Sequence, residues 1–283
     1  VAIVYVLASA LVVSFSNVLG GLAARKMPLA IAASIAGPAA MVIALIVVPL
    51  FPGTPSSIGL WLGFAAGLFA GAGLPIAYRA FAIGPVGIAG ALLAVVGTVI
   101  LTVVGVLSGE ALTPFRIIGL VLCIIAILLV TYRPPVDGQR ASLRGPLLAV
   151  IAAVLFSSFV VTINTAPDAD GLWPLLAARF GITVVAMVLL AHLLYREGRR
   201  TAAHHFRGRV IVIPLAAGAL DMLGNVFLVL ALQAGDLLLL AILAPAAPIF
   251  TAIIGRVFLG ERMTRWQILG LGVASGALVL AAV

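Results

Sequence analysis

Asp221 is the residue with the most chemistry to offer. It lies inside an apolar run long enough to cross a bilayer, in Gly218-Ala-Leu-Asp-Met-Leu-Gly-Asn225. A carboxylate at that depth costs about 3 kcal/mol on insertion scales unless it is paired, protonated or turned toward water. Asp221 can therefore couple a proton or bind an amine, or it can form a structural ion pair with Arg179 or Arg79. Asn225 follows one helical turn later on the same face and extends the polar surface. Arg179 lies about two turns inside its own apolar run. It can hold a solute carboxylate in a bidentate fork, or serve as the partner of Asp221. Arg79 sits near the end of a run, where its charge can snorkel to the interface. Its neighbour Tyr78 is a candidate contact for solute.

Lesser candidates flank these. Ser14, Ser16 and Asn17 occupy the first apolar run, and Phe156, Ser157 and Ser158 the matching place in the sixth. They can bind solute or hydrogen-bond between helices, a use worth about 0.6 kcal/mol on average. Thr162 and Asn164 are weaker versions of the same idea. Pro245 and Pro248 remove backbone hydrogen bonds inside a helix. The carbonyls freed there can line a polar cavity, and the pair forms a candidate hinge. Pro38 and Pro75 interrupt two other runs. No Cys/His spacing points to a metal, and no cofactor is expected. His192 falls near a helix end. His204 and His205 lie adjacent in a basic loop.

These residues need elements that cross a membrane. The chain has 283 residues, 64% hydrophobic and 8% charged, with one cysteine, Cys123. Its mean hydropathy is +1.34. Soluble domains carry about a quarter charged residues. Backbone groups in lipid must be satisfied internally, and period-2 alternation is absent, so the spans are predicted as helices. Ten are expected: Ala2–Ala24, Leu29–Leu50, Gly59–Ala82, Val86–Leu107, Phe115–Tyr132, Leu143–Thr165, Leu172–Tyr195, Val210–Gln233, Leu237–Leu259 and Trp266–Val283. The first is read as a span and not a signal peptide. Gly59, Gly63, Gly67 and Gly71 form a small-residue stripe that lets another helix approach closely.

The net charge of +8 does not mark a nucleic-acid binder. The basic residues sit in short loops between apolar runs, as membrane proteins place them. Lys26, Arg144, Arg196, Arg265 and most other cations fall in odd-numbered loops. Glu110, Asp168, Asp170 and Asp236 fall in even-numbered ones, with Arg116 almost the only cation there. Positive-inside reasoning puts the odd loops in the cytoplasm and both termini outside.

The chain also repeats itself. Gly109-Glu110-Ala-Leu-Thr113 aligns with Gly260-Glu261-Arg-Met-Thr264 at an offset of 151 residues, Glu261 against Glu110. The register holds from Gly59 to the C-terminus, with Gly67 on Gly218 and Gly73 on Gly224. Glu110 and Glu261 are expected to cap or tie loops at opposite membrane faces. Five spans per half would insert the halves upside down, as in alternating-access carriers with a site near the midplane. The expected organisation is residues 1–132 as the first five-helix repeat, 133–142 as linker and 143–283 as the second.

The repeated Gly-Glu-x-x-Thr, followed by a Gly-rich final helix, resembles the EamA family of the drug/metabolite transporter superfamily. Phe15-Ser16-Asn17 is similar to a motif in that family's first helix. Arg179 is similar to an arginine often found early in its seventh. Ala231-Leu232-Gln233-x-Gly235 with Leu243-Ala244-Pro245 is similar to its helix 8–9 segment. In the first half Gly97 stands where Pro248 would repeat, and Ala94 where Pro245 would. The resemblance implies a ten-helix inverted-repeat carrier of small organic solutes, often an exporter of amino acids or related metabolites. It also implies cytoplasmic termini, the opposite of what the charges give.

The function expected is secondary transport of an amino acid or similar metabolite by alternating access. Ser16, Asn17, Tyr78, Phe156, Ser157, Arg179, Asp221 and Asn225 would line a central cavity. No nucleotide-binding loop is present, so the drive is expected to be an ion gradient, with protons as the candidate, exchange, or the solute's own gradient. The partners expected are the solute and the bilayer, not nucleic acid. The protein is expected to be a monomer, multi-pass in a prokaryotic inner membrane. A flippase for polar or sugar-linked lipids is the alternative on the same fold. An enzyme is disfavoured, because only one acid lies deep in a span.

Overall fold

The computed structural model describes residues 1–24, 26–83, 86–131, 143–197, 209–235 and 237–243, with single positions and short groups between 246 and 276. The described residues form α-helices and short 3-10 turns, with no strand among them. The helices are α1 (Ala2–Ala24), α2 (Leu29–Val47), α3 (Ser57–Ile83), α4 (Val86–Leu107) and α5 (Pro114–Thr131). They continue as α6 (Arg144–Asn164), α7 (Trp173–Glu197), α8 (Val212–Ala234) and α9 (Leu237–Leu243). Among the described residues, six stretches are long and apolar enough to span a bilayer: Ala2–Ala24, Leu29–Leu50, Ser57–Ala80, Arg144–Asn164, Trp173–Arg196 and Val212–Ala234. Pro38 and Pro75 lie inside α2 and α3 without ending them. The hinge candidates Pro245 and Pro248, the linker 133–142, Glu261, His204 and His205 lie outside the described residues.

Packing follows the small residues. α3 lies against α6 and α7, and α8 lies against α1 and α2. A Cβ on Gly63 would overlap the backbone of Pro174, one on Gly67 that of Ala178, and one on Gly71 would press on Val185 and Ile182. The two series rise together, so α3 and α7 run parallel. The predicted stripe is thus a backbone-to-backbone contact, which only a missing side chain permits. Gly218 meets Ala36 in the same manner.

Other pairs run in opposite directions. Tyr5 stacks on Phe227, Val13 meets Gly224 and Ser16 bonds to Ala217, so α1 and α8 are antiparallel. Gly37 in α2 meets Thr183 in α7. Beyond the C-terminal end of α2, the loop at Gly53 receives a hydrogen bond from Trp173 at the start of α7. α2 and α7 are therefore antiparallel. The largest core cluster joins Ala44 and Val48 with Leu172, Leu175, Met222 and Leu238.

The repeated Gly-Glu-x-x-Thr has a local explanation in its first copy. Gly109 has φ +91°, a conformation that favours glycine. Glu110 accepts hydrogen bonds from the Leu237 and Leu238 N–H groups at 2.9 and 2.8 Å. Its carboxylate thereby caps the N-terminus of α9, where free N–H groups and the helix dipole favour negative charge. Thr113 accepts from the Arg116 N–H at 3.3 Å at the start of α5.

Candidate functional site

The candidate site is built on the inner faces of α7 and α8. Leu175, Ala178 and Ala186 bury one face of α7, and Arg179 is carried inward with them at 2% exposure. On α8, Ala217, Gly218 and Met222 are buried, while Asp221 beside them is 39% exposed. The Arg179 Nη1 donates to Asp221 Oδ2 at 2.5 Å. The Arg179 Nε points at the Met222 sulfur, 3.1 Å away. The remaining Nη2 is buried and has no hydrogen-bond partner. Asn225 donates from Nδ2 to the Asp221 carbonyl at 2.8 Å, one turn along α8.

A guanidinium in this setting needs its carboxylate. Removing one member of a buried ion pair leaves a charge that costs about 3–5 kcal/mol. Here the cation is sealed and the anion is reachable. The partly exposed side of the pair is the Asp221 carboxylate, an acceptor, and the unpartnered Arg179 Nη2 is enclosed. The two unlike charges cancel, so the site favours no net charge.

The structure brings together Arg179, Asp221 and Asn225, and it places Ser16 one turn away. The Ser16 hydroxyl donates to the Ala217 carbonyl at 2.8 Å and so ties α1 to α8. Tyr78 on α3 faces Gly20 on α1, with its hydroxyl 3.6 Å from where a Cβ would stand. Phe156 fills the space beside Gly73, and Ser157 is buried opposite Gly97. These α6 residues thus meet α3 and α4. Ser14 lies 2.6 Å from the Ala10 carbonyl and 2.8 Å from that of Ala247. Asn17 is exposed, as are Arg79 and His192. Met222 was not anticipated as a contact of Arg179, because a thioether beside an acid carries no distinctive pattern.

Two cavities lie at the end of the bundle where α8 finishes, and neither is at the ion pair. One, of about 30 Å³, is water-sized and lies among Ile163, Asn164, Pro167, Asp168, Gly171 and Gln233. The other, about 370 Å³ and open, is bounded by Val1, Arg116, Gly235 and Leu239. Neither includes Asp221 or Asn17, beside which a central hollow was expected; Asp221 is instead partly exposed on its own side of α8.

A crystal structure of another protein is similar in fold, with a TM-score of 0.74 at 16% identity, covering 98% of this chain and 94% of that one. No curated protein matches the chain. Residues 143–283 match the EamA-like transporter family. With its apolar helices of spanning length, the protein is an integral, multi-pass membrane protein, and through residues 143–283 it belongs to the EamA-like transporter family of the drug/metabolite transporter superfamily.

Proposed function

We propose that the protein is a secondary carrier for a small organic solute, an amino acid or similar metabolite, working by alternating access. The observation that carries this reading is the half-open ion pair: Arg179 sealed within the bundle and Asp221 accessible beside it. A purely structural pair gains nothing from leaving its anion exposed. In the proposed role, Arg179 offers Nη2 to a solute carboxylate, Asp221 offers its carboxylate to an amine or a proton, and Asn225 narrows the choice. Ser16, Asn17, Tyr78, Phe156 and Ser157 complete the surroundings. No resident cofactor is needed.

The same reading takes the chain as ten helices in two oppositely inserted halves, 1–132 and 143–283, acting as a monomer in a prokaryotic inner membrane. Two observations support it. α2 and α7, equivalent by the repeat, run antiparallel. The Gly67–Ala178 and Gly218–Ala36 contacts are each other's counterparts. Two oppositely directed units sharing a midplane site are what rocking exposes alternately.

The test is uptake of radiolabelled amino acids by proteoliposomes, in wild type and in Asp221→Asn. Uptake that disappears in the folded variant supports the reading. Unchanged uptake with unchanged pH dependence removes Asp221 from the mechanism.

A further inference from the structure

The loops at one end of the bundle are joined by contacts that the carrier role does not itself require. Residues 51–56 link α2 to α3, and residues 165–172 link α6 to α7. The Thr54 N–H donates to the Ala169 carbonyl at 2.9 Å, and Trp173 Nε1 donates to the Gly53 carbonyl at 3.2 Å. At the centre, the Ser56 hydroxyl donates to Asp170 Oδ2 at 2.6 Å. Ser56 Oγ in turn accepts the Gly59 N–H at 3.0 Å, so it also caps α3. Asp170 is 2% exposed, yet it comes from a loop.

The fit is specific. Asp170 occupies the volume a side chain on Gly59 would fill. Its charge lies at the N-terminus of α3, where the helix dipole favours an anion. Gly171 has φ +56°, and a Cβ there would overlap the Pro52 carbonyl. Gln233, at the end of α8, braces the loop by donating to the Gly171 carbonyl at 3.1 Å. Asp221 lies twelve residues earlier in the same helix, about 18 Å from this end.

The repeat shows how one-sided this device is. The Gly67–Gly218 and Ala178–Ala36 equivalences set the registers for these segments, at offsets of 151 and 142 residues. In those registers Ser56 corresponds to Arg207, Asp170 to Pro28 and Gly59 to Val210. An arginine and a proline cannot form a hydroxyl–carboxylate bond, and a valine leaves no space for a carboxylate. Among the described residues, this Ser–Asp pair has no counterpart at the corresponding positions of the other half.

We propose that Ser56 and Asp170 form a catch that holds this end of the carrier shut, and that parting them opens the Arg179–Asp221 site to that side. This rests on the carrier reading above. Breaking one charge-assisted hydrogen bond shifts a two-state balance by about tenfold or more.

The experiment places a reporter, Asn225→Cys, in a Cys123→Ser background of the full chain in proteoliposomes. A membrane-impermeant maleimide is presented to each face in turn. Ser56→Thr keeps the hydroxyl, Ser56→Val matches that threonine in shape without one, and Asp170→Asn keeps shape without charge. With Ser56 unchanged, or with Ser56→Thr, the reporter is expected to label from the opposite face. With Ser56→Val or Asp170→Asn, labelling from the catch face should rise about tenfold. Folded variants whose labelling stays confined to the opposite face overturn the catch and leave the carrier reading standing. Loss of folded protein in both, with Ser56→Thr intact, makes the contact a folding element and also overturns the catch. A reporter that labels from neither face in any variant removes the carrier reading, and the catch with it.

Discussion

The α3–α7 seam and the α2–α8 seam are built alike and used differently. In one, Gly67 lies on the backbone of Ala178; in the other, Gly218 lies on that of Ala36. By the same registers Arg179 corresponds to Gly37 and Asp221 to Ala70. The ion pair of the second half has two apolar residues as its counterpart in the first. Gly37 rests on Thr183, and Ala70 packs against the main core. Glycine contacts hold both seams, each of which joins a helix of one half to a helix of the other, while the charged pair stands in one half. The repeat is thus a statement about scaffold, and the departures from it include the ion pair on which the proposed function rests.

The comparison breaks most severely if the seams are not equivalent. Gly67→Leu and Gly218→Leu should both abolish folded protein, read as loss of the monodisperse peak in size-exclusion chromatography. Each single added group in a tight interior already costs about 1–3 kcal/mol. A folded, active Gly218→Leu protein beside a collapsed Gly67→Leu would end the equivalence.

Next in size is the ion pair. Asp221→Asn should lower thermal stability by about 3 kcal/mol at most, less than a fully buried pair would lose because Asp221 is 39% exposed. The double change Arg179→Met with Asp221→Ala makes the second half resemble the first. It should recover most of that stability and none of the transport. Recovered uptake in the double variant would show that the charges serve folding alone.

Glu110→Ala should cost about 1 kcal/mol through the lost cap of α9, seen as a lower melting temperature with uptake retained. The smallest effect expected is that of Ser16→Ala. One interhelical hydrogen bond is worth about 0.6 kcal/mol, and the uptake rate should stay within about twofold, as a bond of that size allows. A collapse of uptake with normal stability would make Ser16 a solute contact.

Much of the fold was legible because apolar runs, proline-glycine breaks and the repeat are one-dimensional signals. The ends of the first eight expected helices agree with the described ones to within about three residues, close to the usual ambiguity of frayed termini, while the end of the ninth and the bounds of the tenth fall outside the described residues. The Gly63–Gly67–Gly71 stripe was readable as close packing, but its parallel partner was not. Gly59 belongs to the stripe by spacing, yet it makes room for the carboxylate of Asp170. Asp221 and Arg179 stood out because charge within a span is costly. Asp170 did not, since an acid in a polar loop resembles solvated surface until Ser56, 114 residues away, is seen against it. Glu110 drew notice by repetition; its target, the first N–H groups of α9, is a matter of tertiary packing.

The main-chain nature of the Gly67–Ala178 contact has a genetic consequence. A bulky substitution in an ordinary core can be rescued by trimming the side chain it strikes. At Gly67 the obstacle is a carbonyl, and every amino acid at position 178 supplies the same one. A suppressor screen starting from a larger residue at 67 should therefore yield true revertants and no compensating allele at 178.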